Sequence, residues 1–391
     1  MIIFDFMLKI IAHIDIDNFF VSSELKLNPK LKGQPIVISR SEDFAMAVSV
    51  SKEVKSKGFK ISDKINEIKK KIPNLLVIHP NINYYKFLSD QFFNFISKNF
   101  SKKIEVYSID ECFIDLTEYS RKFKSITDML YFIKNKLVKN FRLPISIGLS
   151  YNKLLAKMAT NLAKNSEAGI MQVSTKKDVK AFIYPQKIGN LFGIGIQNTE
   201  KLKKFGIITI QDFIQKGVNN EKIIEILGVN RYYFFHALTK IGDDNVCDKL
   251  EKFKSVSHFR TLSGDILLTK KQILDGVSEF LLELVEKLKK FNKAANRVEF
   301  FFKLKNKEKD HFFSDISFPS NDYDFLYQNL LALVEKIENF SLIHGFGITL
   351  SKISDYDKSM LNTNPKVKNI VAKVNKKIGL KKLFVLKYLK N

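Results

Sequence analysis

The stretch IIAHIDIDNFF at residues 10–20 alternates apolar and polar side chains, which places Ile14 and Ile16 on one face of an extended strand and Asp15 and Asp17 on the other. Beyond it, residues 26–78 turn Lys-rich, with helical spacing in ISDKINEIKKKI after Gly58 and a stop at Pro73-Asn74. Helix-period aromatics follow at 84–100 (YYKFLSDQFFNFISKNF), then two short strands about a tight turn at 104–116 (IEVYSIDECFIDL), and a helix near 125–140. LPISIGLS supplies a strand at 144–150 and NKLLAKMATNLAK a helix at 152–164. The order strand, helix, hairpin, helix, strand, helix predicts a ferredoxin-like βαββαβ core, with the basic subdomain inserted after its first helix.

Past this core the pattern changes twice. From 172 to 242 the segments are short and helical, broken by glycines at 189, 193, 195, 206, 217 and 228. From 250 to 356, VSHFRTLSGDILL, NRVEFFFKLK and HGFGITLSKI read as strands, with amphipathic helices near 270–290 and 322–339. The last 30 residues hold nine Lys and no acid, a basic tail with one short apolar helix near LKKLFVLKYL.

Length and composition bound the function. A chain of 391 residues suits two to four domains, and 45% hydrophobic with 27% charged residues is ordinary for a globular protein. The net charge of +24 favours polyanionic partners, although only six of the 65 basic residues are Arg, and 35 Phe with no Trp equally fits AT-rich codon usage. Two cysteines, Cys112 and Cys247, exclude a disulfide framework and a Cys-rich zinc site. The start MIIFDFMLKIIAHID lacks a basic n-region, Met7 is an alternative start, and no run of about 18 apolar residues exists. The expectation is a cytoplasmic protein that does not span a membrane.

Three acids are candidates for chemistry. Asp15 sits on the predicted core strand and Asp110-Glu111 at the hairpin, where adjacent residues converge only if the chain turns or bulges. With the first strand beside that hairpin, three carboxylates meet above one sheet, and such a cluster either shares protons or binds divalent cations. Oxygen-only ligands suit Mg²⁺, and two ions about 4 Å apart clamp the attacking and leaving oxygens of a phosphoryl transfer. The plainer alternative is a solvated polar turn and an edge-strand acid. On the helix at 152–164, Lys153, Lys157 and Lys164 form one stripe opposite Leu154, Leu155, Met158 and Leu162, ordinarily a solvated basic face. In NLFGIGIQNTEKLKKFGI at 190–207, Gly193 and Gly195 stand between two helices beside Lys201, Lys203 and Lys204, the pattern of a helix-hairpin-helix that brings backbone N–H groups to a DNA phosphate. A weaker copy lies at 221–234.

The whole pattern resembles the Y-family of translesion DNA polymerases. HIDIDNFFVSSE at 13–24, YSIDECFIDLT at 107–117 and SIGLSYNKLLAKMATNLAK at 146–164 match its three core motifs in order and spacing, and the resemblance extends over residues 8–355. It implies an α+β, multidomain fold: a ferredoxin-like palm (1–26 and 81–171) with inserted fingers (27–80), a helix-hairpin-helix thumb (172–242), an α/β little-finger domain (250–356) and a basic C-terminal tail (362–391). It further implies a low-fidelity DNA polymerase working on primer-template DNA and deoxynucleoside triphosphates, expected as a monomer. Asp15, Asp110 and Glu111 become the catalytic carboxylates that hold two Mg²⁺ ions, with the backbone carbonyl of Ile16 as a further ligand; Asp17 braces the strand. Phe20 becomes the steric gate against a ribose 2′-OH, with Phe19 beside it at the nucleotide or, as the plainer reading, in the core. Lys164 and Lys157 face the triphosphate, and Gly193, Gly195 and Lys201 the DNA.

The sequence departs from the family where the fingers normally offer a Tyr and an Arg to the triphosphate. Lys52 and Lys55 stand there, charged but without the planar fork of Arg, so the grip rests on them or shifts to Ser49 and Ser51. A second departure is NSEAG at 165–169, where the family has a Pro and a shorter link. The final α/β module nearly balances its charges, 17 basic against 16 acidic residues from 250 to 360, so DNA contact there needs local clustering such as Lys303, Lys305, Lys307 and Lys309 along one strand face. Leu383-Phe384 on the tail resembles the apolar ending of sliding-clamp peptides without their Gln; an amphipathic helix packed on the body is the alternative. Two other functions compete: a non-catalytic DNA-binding relative, favoured by the altered fingers, and a nucleotide cyclase, which would not need helix-hairpin-helix elements.

Overall fold

The computed structural model describes residues 9–40, 45–240, 244–247, 253–261, 268–304 and 309–356. Met7, Lys305, Lys307 and the tail with Leu383-Phe384 lie outside the described residues. The chain divides into two compact units, Met1–Lys249 and Leu250–Asn391.

In the first unit β1 (Ile11–Ile16) leads into α1 (Phe19–Leu27). The expected strand over 10–20 is therefore shorter. Asn18 adopts a left-handed φ of 50°, which an Asn tolerates and which turns the chain into the helix, so Phe19 and Phe20 are helical. The inserted subdomain contains β2 (Ile36–Ile38), β3 (Ser49–Val50), α2 (Lys52–Lys55), α3 (Ile65–Lys71) and β4 (Leu76–Ile78). Its three strands form a separate sheet in the order β3-β2-β4. They were not legible in the sequence, since runs of two or three residues carry no period.

Then come α4 (Ile82–Asn99), β5 (Ile104–Val106), β6 (Glu111–Asp115), α5 (Thr117–Ser120), α6 (Ile126–Phe141), β7 (Ile145–Ser150), α7 (Lys153–Ala163) and β8 (Ile170–Val173). Their sheet runs β5-β6-β1-β7-β8, antiparallel through β7, the strand order of a ferredoxin-like core with β8 added at its edge. Because β1 is central, all six of its residues are buried, and Asp15 is no edge-strand acid. Ile14 and Ile16 pack with Tyr85, Phe92, Ile133 and Leu137 from α4 and α6. The opposite face carries α7, which approaches closely at Gly148: a Cβ there would overlap the backbone of Thr160 and Ala156. Lys134 Nζ anchors the 165–169 link by donating to the Ala168 carbonyl.

The helical region holds α8 (Lys176–Asp178), α9 (Ile196–Lys204), α10 (Ile210–Lys216), α11 (Glu221–Leu227) and α12 (Asn230–Thr239). The apolar faces of α9, α10, α11 and α12 share a core with Leu154, Leu155 and Met158 of α7.

The second unit is a four-stranded sheet, β11-β10-β12-β9, built from β9 (Ser255–Thr261), β10 (Lys293–Leu304), β11 (Lys309–Ser320) and β12 (Ile343–Ser351), with β13 (Ser354–Asp355) pairing with β10. Helices α13 (Lys270–Lys290) and α14 (Tyr323–Val334) cover one face through Phe280, Leu284 and Leu330, which share a core with Phe300 of β10. β11 was not anticipated, because KDHFFSDISFPS breaks its alternation with Pro319 and paired aromatics. It also corrects the lysine cluster: Lys303 and Lys309 are partners across a hairpin, not neighbours on one strand. Among the described residues no helix is long and apolar enough to cross a membrane.

Candidate active site

The pairing of β1 brings the predicted acids together. Asp15 is the Cα partner of Glu111 in β6 on one side and of Ser146 in β7 on the other. Asp110 lies one residue ahead of β6, where the chain bends. Its carbonyl accepts the Ile16 N–H at 3.0 Å, clipping the end of β1 to the turn, and Ser108 Oγ donates to its Oδ1 at 2.5 Å.

The lysine stripe of α7 faces these acids and is not a solvated surface. Lys153 Nζ meets Glu105 Oε2 at 3.0 Å, Lys157 Nζ meets Glu111 Oε2 at 2.5 Å, and Lys164 Nζ meets Asp15 Oδ1 at 2.7 Å. Three acids on the sheet need compensation, and α7 delivers a cation to each, with Lys153 and Lys157 one turn apart and Lys164 two turns further on at its C-terminal end. Lys157 is further enclosed by the rings of Tyr107 and Phe192, 5.0 and 4.8 Å from its Nζ. Among the described residues the hydrogen bonds and ion pairs of these side chains fall on Oδ1 of Asp15 and Oε2 of Glu111, which leaves the second oxygen of each carboxylate without a hydrogen bond.

Electrostatics separates the acids. Burial pushes the Asp15 carboxyl up to about 6; Lys164 opposes this, and Asp110 and Glu111 add to it. Asp110 is likewise raised, mainly by burial. Burial also acts on Glu111, but hydrogen bonds from His13 and Lys157 outweigh it and hold that group at about 2. His13, on the same face of β1 as Asp15, is 1% exposed, with Nε2 3.3 Å from Glu111 Oε2 and Nδ1 3.0 Å from Thr160 Oγ1. Burial lowers the His13 pKa to about 4, so the ring is neutral at pH 7. Neither His13, Thr160 nor Glu105 was singled out from sequence, although the period-2 face that holds Asp15 also holds His13.

Phe20 is half-buried, its ring stacked on Tyr85 at 4.7 Å, while the Phe19 side chain is 3% exposed in the core, leaving only its main chain for a ligand. Lys55 Nζ donates to Asn18 Oδ1 at the turn after β1, and burial, then the charge of Lys164, depresses its pKa. Lys52 lines an open cleft of about 530 Å³ with Asp17, Asn18 and Glu53. Ser49 and Ser51 cannot take over the grip: they are 6% and 3% exposed, and Ser51 Oγ is tied to the backbone of Gln34 and Ile36.

In the helical region Gly193 has a φ of +101° beside the Phe234 ring, which explains the glycine. Gly195 caps α9 with open space around it, and Lys201 is exposed on that helix. These three stand on a different element from the carboxylates.

Comparison with known proteins places this arrangement. Residues 14–161 match the impB/mucB/samB family and residues 253–362 the C-terminal domain of that family. A protein of Ureaplasma parvum named DNA polymerase IV is 32% identical over 355 residues, 88% of this chain and 94% of that protein. DNA polymerase IV of Bacillus velezensis is 32% identical over 263 residues, 66% of this chain and 61% of its own length. The fold is similar to that of a chimera of the Y-family polymerases Dbh and Dpo4, with a TM-score of 0.76 at 22% identity over 88% of this chain and 99% of the other. Motifs, strand order and relatives agree, and the chain belongs to the Y-family of DNA polymerases, among proteins named DNA polymerase IV.

Proposed function

We propose that the chain is a template-directed DNA polymerase of low fidelity, which extends a primer 3′-OH with deoxynucleoside triphosphates in translesion synthesis and repair. The observation that carries this reading is the meeting of Asp15, Asp110 and Glu111 at one end of a single sheet, with Lys157 and Lys164 beside them. The palm comprises 1–26 and 81–171, the fingers 27–80, the thumb 172–242 and the little finger 250–356; the expected state is a cytoplasmic monomer.

The donor set fits Mg²⁺. Asp15 and Glu111 each present a carboxylate oxygen free of hydrogen bonds on neighbouring strands. Among the described residues no three His, Cys, Asp or Glu side chains form a cage by themselves. An ion here would take one or two carboxylates and complete its shell with substrate phosphates. Asp15, Asp110, Glu111 and the Ile16 carbonyl would hold two such ions. When bound, Mg²⁺ supplies charge stabilisation for attack on the α-phosphate and departure of pyrophosphate.

The remaining work belongs to the chain. Lys164 and Lys55 offer positive charge to the triphosphate from either side of the Asp17-Asn18 turn, Phe20 excludes a 2′-OH, and Gly193, Gly195 and Lys201 meet the DNA backbone. Primer extension with Mg²⁺ and four deoxynucleotides tests the reading. D110N is expected to lose extension by about a hundredfold or more while binding primer-template DNA normally in fluorescence anisotropy. Normal extension by D110N would overturn the assignment, and absence of extension by the unaltered chain would favour a non-catalytic DNA-binding protein.

A further inference from the structure

Asp17 has been left without a part in the chemistry, yet its main chain and one carboxylate oxygen are fixed while the other oxygen is bare. Ser146 Oγ donates to its Oδ2 at 2.8 Å, its N–H donates to the Pro144 carbonyl at 3.0 Å, and its own carbonyl accepts from Ser22 Oγ at 2.7 Å. The other carboxylate oxygen, Oδ1, is buried and accepts no hydrogen bond. A buried carboxylate oxygen without a donor is costly and marks a place where a donor is expected in some state of the molecule.

The nearest cation is Lys164. Its Nζ lies 2.7 Å from Asp15 Oδ1 and 3.9 Å from that orphaned Oδ1 of Asp17. The ammonium thus stands between two carboxylates, bonded to one and about 1 Å short of bonding the other. Asp15 is the carboxylate to which the proposed function gives a divalent cation, and an ammonium and a divalent cation compete for it by charge.

We propose that Asp17 is the alternative partner of Lys164: when Asp15 would hold a divalent cation, the Lys164 ammonium moves to Asp17 Oδ1 and stays in the site. The exchange moves no proton and leaves both Asp15 and Asp17 beside a cation. It keeps Lys164 beside the entering triphosphate while freeing Asp15. Asp17 is then a positioning residue that acts through Lys164. Ser146, by fixing Oδ2, aims Oδ1 at the lysine. This inference rests on the reading of Asp15 as a cation ligand.

The test is a double-mutant cycle on the full chain, with Mn²⁺ affinity measured by electron paramagnetic resonance in the absence of nucleotide and turnover. D17N keeps the size of the side chain but offers the displaced ammonium no charge. It is expected to weaken Mn²⁺ binding about tenfold when Lys164 is present. In the K164M background the same change is expected to matter much less, because no ammonium needs a new partner. A loss at least about threefold smaller in K164M than with Lys164 supports the exchange. A loss similar in both backgrounds, which a simple charge or folding effect would give, overturns it, as does an unchanged affinity in D17N alone. Mn²⁺ binding by D17N and its parent with no primer extension by either would fault the polymerase reading and leave the exchange standing.

Discussion

Phe20 lies over Tyr85 with ring centroids 4.7 Å apart and planes 19° from parallel, and the Tyr85 hydroxyl donates to Glu24 Oε1 at 2.6 Å. The ring proposed as the sugar gate is thus backed by an aromatic from α4, which is itself tied back to α1. F20A is expected to raise ribonucleotide incorporation by about a hundredfold relative to deoxynucleotides. Y85A, which leaves Phe20 in place but without its support, is expected to relax discrimination to a smaller degree. Competing incorporation of ribo- and deoxynucleoside triphosphates on one template reads both effects; unchanged sugar selectivity in F20A would reject the gate.

His13 gives a pH dependence with a definite sign. Its folded pKa of about 4 lies below the ordinary value of 6.5, so the unfolded chain binds more protons between these limits. The stability contributed by neutral His13 is complete above pH 6.5 and is lost as pH falls toward 4, by up to about 3 kcal/mol. H13Q, which retains an N–H for Glu111 but does not titrate, is expected to show a flatter profile. Urea unfolding between pH 7.5 and 4 measures the difference between the two curves; parallel curves would refute it.

Gly148 sets the distance between β7 and α7. G148A is expected to destabilise the protein by about 3 kcal/mol or more, because backbone of α7 and not a flexible side chain occupies the space. The same displacement would carry Lys157 and Lys164 away from Glu111 and Asp15, so activity is expected to fall even where the variant remains folded. Denaturant midpoints together with primer extension at low temperature separate the two losses.

Lys55, proposed above to offer charge to the triphosphate, donates to Asn18 Oδ1 at the turn after β1. K55A is expected to raise the KM for deoxynucleotides about tenfold with little change in kcat, as for one lost charge-assisted contact to phosphate. K55R supplies the planar fork and is expected to lower KM below that of the unaltered chain. Steady-state single-nucleotide insertion reads both; a K55A variant with unchanged KM would remove Lys55 from the triphosphate site.

Several of these features were legible in the chain itself. The alternation around Asp15, the SIDE turn and the lysine helix each follow from spacing, because pleat and helical period are local properties. The depth of the site was not. A stripe formed by Lys153, Lys157 and Lys164 looks identical in sequence whether it faces water or acids, and only the placement of α7 over the sheet gives each lysine a carboxylate, from Glu105 of β5, Glu111 of β6 and Asp15 of β1. Tyr85 and Thr160 lie 65 and 147 residues from Phe20 and His13 respectively, and no local pattern links them.

The sequence by itself determined the ferredoxin-like order, the three acids, the glycine-hinged helices and the family, since these depend on residue types at fixed short intervals. Tertiary structure alone decided that Asp15 lies on the central strand with Glu111 as its partner, that Ser49 and Ser51 are buried, and that Lys303 and Lys309 face one another across a hairpin. It also decided that Asp17 carries an orphaned oxygen 3.9 Å from Lys164. The physical reason is that burial and charge pairing arise from contacts between segments far apart in the chain, and a carboxylate acquires its chemistry from what those contacts leave unpaired.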